Sequence, residues 1–193
     1  MRHALVTGAA GGIGRGICFA LVEQARSDGV GIHISAASTQ AGERLEALLA
    51  ELRAAGAQAT GVVGDLTEPA QCADVVAQAQ AAAGDLTMLV CNAGASGPGQ
   101  LADLPVAQWD RTFALNVRAV WLLAQAAHAG LARTGGSITA VASMSGLTPH
   151  PGYGAYSSAK AALIMLCRQL AQEWAADGVR VNTVCPGMVR TPL

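Results

Sequence analysis

Charge is scarce in this sequence. Asp, Glu, Lys and Arg make up 13% of its 193 residues, against 52% hydrophobic residues, and the formal net charge is -1. With so few cations there is no basic stripe to meet phosphates or acidic lipid, so neither nucleic acid nor a membrane surface is an expected partner. Long apolar runs are absent as well. None reaches the about 18 residues of a membrane span, and no cleavable charged-then-apolar leader opens the chain, which makes the cytoplasm the expected location. The five cysteines (Cys18, Cys72, Cys91, Cys167, Cys185) are scattered, with no C-x-x-C pair and no histidine at ligand spacing. That excludes a disulfide framework, and the thiols are expected to act as small buried hydrophobes; no metal is expected. No Gly-x-Ser-x-Gly elbow is present, which removes a hydrolase built on an α/β sheet.

What the sequence does contain is an alternation. Apolar runs at 3–7, 30–35, 57–65, 86–94, 136–143 and 179–185 read as strands. Between them lie helix-periodic stretches at 13–26, 39–56, a segment that Thr67 could cap, 105–129 and 154–177. Strands that are continuously apolar, joined by short helical crossovers, signify a parallel sheet covered on both faces. The expected fold is therefore α/β: a doubly wound parallel sheet of the Rossmann type, three αβα layers, with residues 1–193 as one domain.

The first strand runs into TGAAGGIGRG, where Gly8, Gly12 and Gly14 stand at the strand-to-helix junction. Glycines there let the backbone turn tightly and approach a pyrophosphate, which the helix N-terminus attracts with its N–H groups and dipole. No Lys-Ser/Thr follows, so this is not a Walker loop, and Ile17 stands where the last glycine of G-x-G-x-x-G would be. Dinucleotide binding is the expectation. Further along, GAYSSAK sets Tyr156 and Lys160 four positions apart, on one face of a helix. A fixed ammonium beside a phenol favours the phenolate, one way to make a tyrosine carry protons near neutral pH.

In its order of motifs the chain resembles the short-chain dehydrogenase/reductase family over essentially its whole length. Thr7 and the three glycines match that family's TGxxxGxG turn, and Asn92-Ala93-Gly94 its NAG segment, although Cys91 replaces the usual second asparagine. Asn116, Ser143, Tyr156 and Lys160 fall in the order of its catalytic tetrad. The resemblance implies an enzyme that moves a hydride between a nicotinamide and a carbonyl or secondary alcohol. Tyr156 would carry the proton, Lys160 would hold the ribose, Ser143 would donate to the oxyanion, and Asn116, in a distorted helix turn, would hold a water. The implied cofactor contacts are Thr7, Gly8, Gly12, Ile13, Gly14, Ser38, Asp65 (at the adenine), Leu66, Asn92, Ala93, Gly94, Tyr156 and Lys160. Pro186, Gly187, Val189 and Thr191 would lie beside the nicotinamide amide.

No acid closes the second strand, where SAAST offers Ser38 and Thr39 as donors to a 2′-phosphate, while Gly11 stands where many NADP users carry a cation. The cofactor is NADP or NAD, with the balance toward NADP. Arg15 lies nearby. Tyr153 has Ser157, not a lysine, four positions on, so it is expected to line the substrate cleft along with Ser143 and Tyr156. Ala95, Ser96, Ser145, Leu147 and His150 are further candidates for that cleft, while His3, His33 and His128 read as structural or surface. Family members normally continue into a substrate-covering segment and a last strand; the expectation is that the chain lacks both, or is cut short after VRTPL. Helix 154–177 is apolar in nearly every direction, which together with the resemblance suggests a homodimer or homotetramer. The competing reading is a cofactor-binding sensor or scaffold without turnover.

Overall fold

A computed structural model describes residues 1–191 of the chain. Six strands form one sheet: β1 (Arg2–Thr7), β2 (Ile32–Ser38), β3 (Gln58–Val63), β4 (Met88–Cys91), β5 (Ser137–Val141) and β6 (Arg180–Val184). Every pairing is parallel, and the spatial order is β3-β2-β1-β4-β5-β6. The chain reverses its direction of travel across the sheet between β1 and β4. At such a switch point the connections leave the carboxyl ends of the two strands in opposite directions and open a crevice.

The helices are α1 (Gly12–Ser27), α2 (Glu43–Ala54), α3 (Pro69–Ala83), α4 (Val106–Phe113), α5 (Ala119–Thr134) and α6 (Gly154–Glu173). Helical spacing explains which face each one buries. In α2, Leu45, Leu48, Leu49 and Leu52 form a single stripe against the sheet, each such burial stabilising the fold by about 2 kcal/mol. Helices α1 and α2 close one core with Val6, Ile34 and Ala36. Helices α3, α5 and α6 close a second, larger core on the other face with Leu5, Leu89 and Ile138. Among the described residues nothing covers Arg180, Asn182 and Val184 on the outward side of β6. Among the described residues, no helix is long and apolar enough to cross a membrane.

Several boundaries differ from the sequence expectation. The helix expected from residue 39 begins at Glu43, which frees Thr39, Gln40, Ala41 and Gly42 to form a loop beyond β2. Strand β4 is only four residues long, because Asn92 leaves the ladder to bind the neighbouring strand's end. Thr67 caps no helix: α3 starts after Glu68 with Pro69 in its first turn, and Thr67 instead donates its N–H and hydroxyl to Asp65. The stretch expected as one helix over 105–129 is α4, then a π-helical turn (Ala114–Arg118), then α5 running on to Thr134.

Candidate active site

Three cavities lie in series across the carboxyl ends of the strands. The outermost, about 400 Å³, is lined by Ser38, Thr39 and the loop up to Arg44. It shares Ala10, Gly11, Ser38 and Thr39 with a central cleft of about 570 Å³ over the glycine turn. The central cleft in turn shares Ile13, Asn92, Gly94 and Gly187 with an inner cavity of about 220 Å³ that contains Ser143, Tyr156 and Lys160. The result is one trough, wide over the glycines and narrow at the tyrosine.

The glycine turn is built to leave donors free. Helix α1 starts at Gly12 with no side-chain cap, so its first N–H groups face the cleft with the positive end of the helix dipole behind them. A side chain on Gly14 would run into the carbonyl of Gly8 and the amide of Asn92, and one on Gly12 would overlap Thr191. Gly8 itself has φ of 61°, a conformation that glycine adopts without strain. This cradle, small, uncapped and rich in N–H donors, fits a pyrophosphate.

Behind the cradle, β1 and β4 are stitched together by two side chains. The Thr7 hydroxyl accepts from the backbone N–H groups of Asn92 and Ala93, both at 3.0 Å, and the Asn92 amide donates to the carbonyls of Thr7 and Gly8 at 3.0 and 3.1 Å. Thr7 is buried and lines none of the cavities; it shapes the turn from beneath. Asp65 is likewise turned aside. Its Oδ1 accepts from Thr67 N and Oγ1, bonds that hold its carboxyl below the usual range, and the cleft is lined by its neighbours Gly64 and Leu66. Ser38, Ala93, Gly94, Val189 and Thr191 line the cleft, and Pro186 lines the inner cavity with Gly187.

At the inner end, four expected residues come together. Tyr156 and Lys160 sit on one flank of α6, with the Lys160 nitrogen 5.6 Å from the centre of the Tyr156 ring. Lys160 is 4% exposed and donates to the Val141 carbonyl at 2.8 Å. Burial lowers its pKa to about 8; the nearby thiols of Cys91, Cys185 and Cys167 oppose that shift only in part. Ser143 ends the β5 loop with its oxygen accepting the Ser145 N–H at 3.1 Å, so its own hydrogen remains free to donate. Asn116 lies in the π-helical turn and is fully buried. Its amide donates to Ala95 O at 3.0 Å and Thr112 O at 2.9 Å, while its Oδ1 has no partner. A Cβ on Gly94 would lie 2.8 Å from that Oδ1 and 3.3 Å from the Lys160 nitrogen, so the orphaned oxygen and the ammonium converge on one glycine.

Tyr153, expected in the substrate cleft, lines none of the three cavities; its exposed ring lies 6.1 Å from that of Tyr156 and 6.0 Å from that of His150. Ala95 and Ser96 line the inner cavity; Ser145, Leu147 and His150 do not. Arg15 lines none of the three cavities and forms an exposed ion pair with Glu51. Of the histidines, His3 and His33 are buried and His128 binds Asp177 at 2.9 Å.

Two structural features escaped the sequence reading. Gly146 presses against the backbone of Lys160, where a Cβ would come within 2.7 Å of the lysine carbonyl carbon, so glycine there lets the Ser143 loop pack on α6. Its position three residues after Ser143 was the available signal. Arg44, in the first turn of α2, reaches the outer cavity, and only the true start of that helix reveals it.

Comparison with known proteins agrees with this geometry. The family model for short chain dehydrogenases matches residues 2–193. 2-(S)-hydroxypropyl-CoM dehydrogenase 3 of Xanthobacter autotrophicus is 40% identical over 172 residues, which cover 83% of this chain and 68% of the relative. The inactive 2-(S)-hydroxypropyl-CoM dehydrogenase 2 of the same organism is 44% identical over 135 residues, 69% of this chain and 59% of that one. The crystal structure of a 3-oxoacyl (acyl-carrier-protein) reductase from Agrobacterium tumefaciens with NADP bound matches with a TM-score of 0.89 at 30% identity, covering 98% of this chain and 71% of the other. The chain thus spans about three fifths to seven tenths of these relatives. It belongs to the short-chain dehydrogenase family of oxidoreductases.

Proposed function

We propose that the protein is an NAD(P)-dependent oxidoreductase that moves a hydride between nicotinamide and a carbonyl or secondary alcohol carbon, with Tyr156 as the proton carrier. The observation that supports this most directly is the continuity of the trough: the glycine cradle and the Tyr156–Lys160 flank share lining residues. When bound, the nicotinamide supplies the hydride chemistry at its C4. The chain's own residues do the rest. The first N–H groups of α1 hold the pyrophosphate, and Gly187, Val189 and Thr191 close the cleft over it. Tyr156 gives its phenolic proton to the carbonyl oxygen in reduction and takes it from the hydroxyl in oxidation. The free hydrogen of Ser143 is directed to the same oxygen, where negative charge develops. Lys160 binds the ribose hydroxyls and keeps a positive charge beside the phenol, and the unpartnered Oδ1 of Asn116 holds a water that returns protons to Lys160.

For the adenosine end, Ser38, Thr39 and Arg44 line the outer cavity, and Arg44 makes no ion pair among the described residues. Against them stands a single lining carboxylate, Glu43. A hydroxyl pair and a free guanidinium favour a 2′-phosphate, hence NADP. The five free thiols are compatible with a reducing cytoplasm. Exposed Trp121 lines a groove of about 530 Å³ with Phe113, Val117 and Leu166, beside Asp110 and Arg118, and the half-exposed Trp109 stacks on Phe113; this face suits burial against a second copy of the chain. A sensor without turnover has the relative named inactive in its favour, but it has no use for Ser143, Tyr156, Lys160 and Asn116 gathered at one point.

The test is reduction of a panel of ketones followed at the reduced-nicotinamide absorbance. Turnover is expected, with the KM for NADPH about tenfold below that for NADH; a preference for NADH would overturn the adenosine-end assignment.

A further inference from the structure

The rim in front of Tyr156 carries almost no charge. No Asp, Glu, Lys or Arg occurs from 92 to 102 or from 141 to 158, and Arg190 is the single one between 184 and 191. The Lys160 ammonium faces inward, already bound to Val141 O. In place of charge, the loops at the carboxyl ends of β4, β5 and β6 expose large apolar side chains. Leu101 and Leu147 are each 63% exposed and Tyr153 43%, with Met144 and Met188 also exposed.

Backbone contacts tie these side chains into two groups. Gly99 N–H donates to Gly152 O at 2.9 Å, which brings the first loop alongside Tyr153, and the Leu101 side chain packs next to Gly154. Met144 N–H donates to Pro186 O at 3.0 Å, and Leu147 N–H to Met144 O at 2.9 Å, which ties the second loop to the third. None of these side chains lines the cavity of Ser143 and Tyr156 itself, which holds the small residues Gly94, Ala95 and Ser96; they adjoin it through neighbours, Tyr153 with its ring 6.1 Å from that of Tyr156 and Met144 next in the chain to Ser143. Exposed apolar surface of this extent beside a polar reaction centre calls for an apolar occupant, and a carboxylate or phosphate entering there would lose its hydration with Arg190 as the single arginine or lysine in these loops.

We infer that the substrate is an uncharged ketone or secondary alcohol whose reacting carbon sits at Tyr156 and whose apolar chain of several carbons lies along Leu101, Tyr153, Leu147 and Met144. This rests on the catalytic reading above. The experiment measures kcat/KM of the full chain, saturated with NADPH, for 2-butanone, 2-hexanone, 2-octanone and 7-oxooctanoate. The expected result is a rise of about fourfold per added methylene, with 7-oxooctanoate about tenfold or more below 2-octanone. Leu147→Asp, a change at an exposed position, should cut kcat/KM for 2-octanone about tenfold. A flat series, or a preference for the acid, overturns the inference. If no ketone turns over, saturation-transfer NMR on the NADP-loaded protein separates the two readings. Binding of 2-octanol but not of 7-hydroxyoctanoate upholds the apolar site and counts against the catalytic one; absence of 2-octanol binding overturns the apolar site.

Discussion

An ammonium group withdrawn from water favours its neutral form, and Lys160 follows that rule: buried, with one carbonyl partner, it has a pKa lowered from the ordinary 10.5 to about 8. Between those values the unfolded chain keeps a proton that the folded protein has released, so stability rises with pH across that window and the burial penalty is felt in full below it. The penalty is about 3 kcal/mol, and leaving Val141 O unpaired costs about 2 kcal/mol in the other direction. Lys160→Met is therefore expected to abolish turnover yet raise stability in urea by about 1 kcal/mol at pH 7. That gain should vanish near pH 9, where the shrinking burial penalty equals the cost of the unpaired carbonyl, and turn into a loss as the pH approaches 10.5. A loss of stability at pH 7 would contradict the picture of a charge held at a cost for function.

At the scale of elements, helix α1 and its glycine turn carry the phosphate end. Gly12 is the first residue of α1, and the place its side chain would occupy is filled by Thr191. Gly12→Ala should improve helix propensity by about 1 kcal/mol while displacing Thr191, so urea stability changes little and the Kd for NADPH, read by fluorescence titration, weakens about tenfold. Unchanged affinity would show that Thr191 has no part in the site. How far these elements were legible in the sequence depends on what holds them. The alternation of apolar runs revealed all six strands and the order of the helices, because burial on both faces leaves its mark in composition. The positions of Tyr156, Lys160 and Ser143 followed from spacing and from family resemblance. The π-helical turn around Asn116 was invisible to periodicity, since five residues are too few to establish a period of their own; resemblance alone suggested it. The roles of Thr7 and Asp65 were legible only in part, because which way a side chain turns depends on hydrogen bonds made across strands, with Asn92 and Ala93, or within a turn, with Thr67.

For the whole molecule, the face formed by α4, α5 and α6 is the counterpart of the trough: aromatic and open, its groove lined by apolar side chains together with Asp110 and Arg118. Trp121 is 44% exposed beside Leu166 and Val117. A second copy seated there would remove that surface from water, and the expected mass in light scattering at micromolar concentration is that of a dimer or tetramer. Trp121→Glu should lower the mass toward that of the monomer without abolishing NADPH binding, because the groove shares no lining residue with the trough. A monomeric wild-type protein would contradict the assignment of this face.

What joins the three scales is a trough with a phosphate cradle at one end and a phenol at the other. The most direct measurement is a paired one on Tyr156→Phe: NADPH titration followed by fluorescence, and turnover with 2-octanone in the same preparation. The expected result is a Kd within about twofold of wild type and a kcat lower by about a thousandfold. Turnover that survives the loss of the hydroxyl would contradict the account.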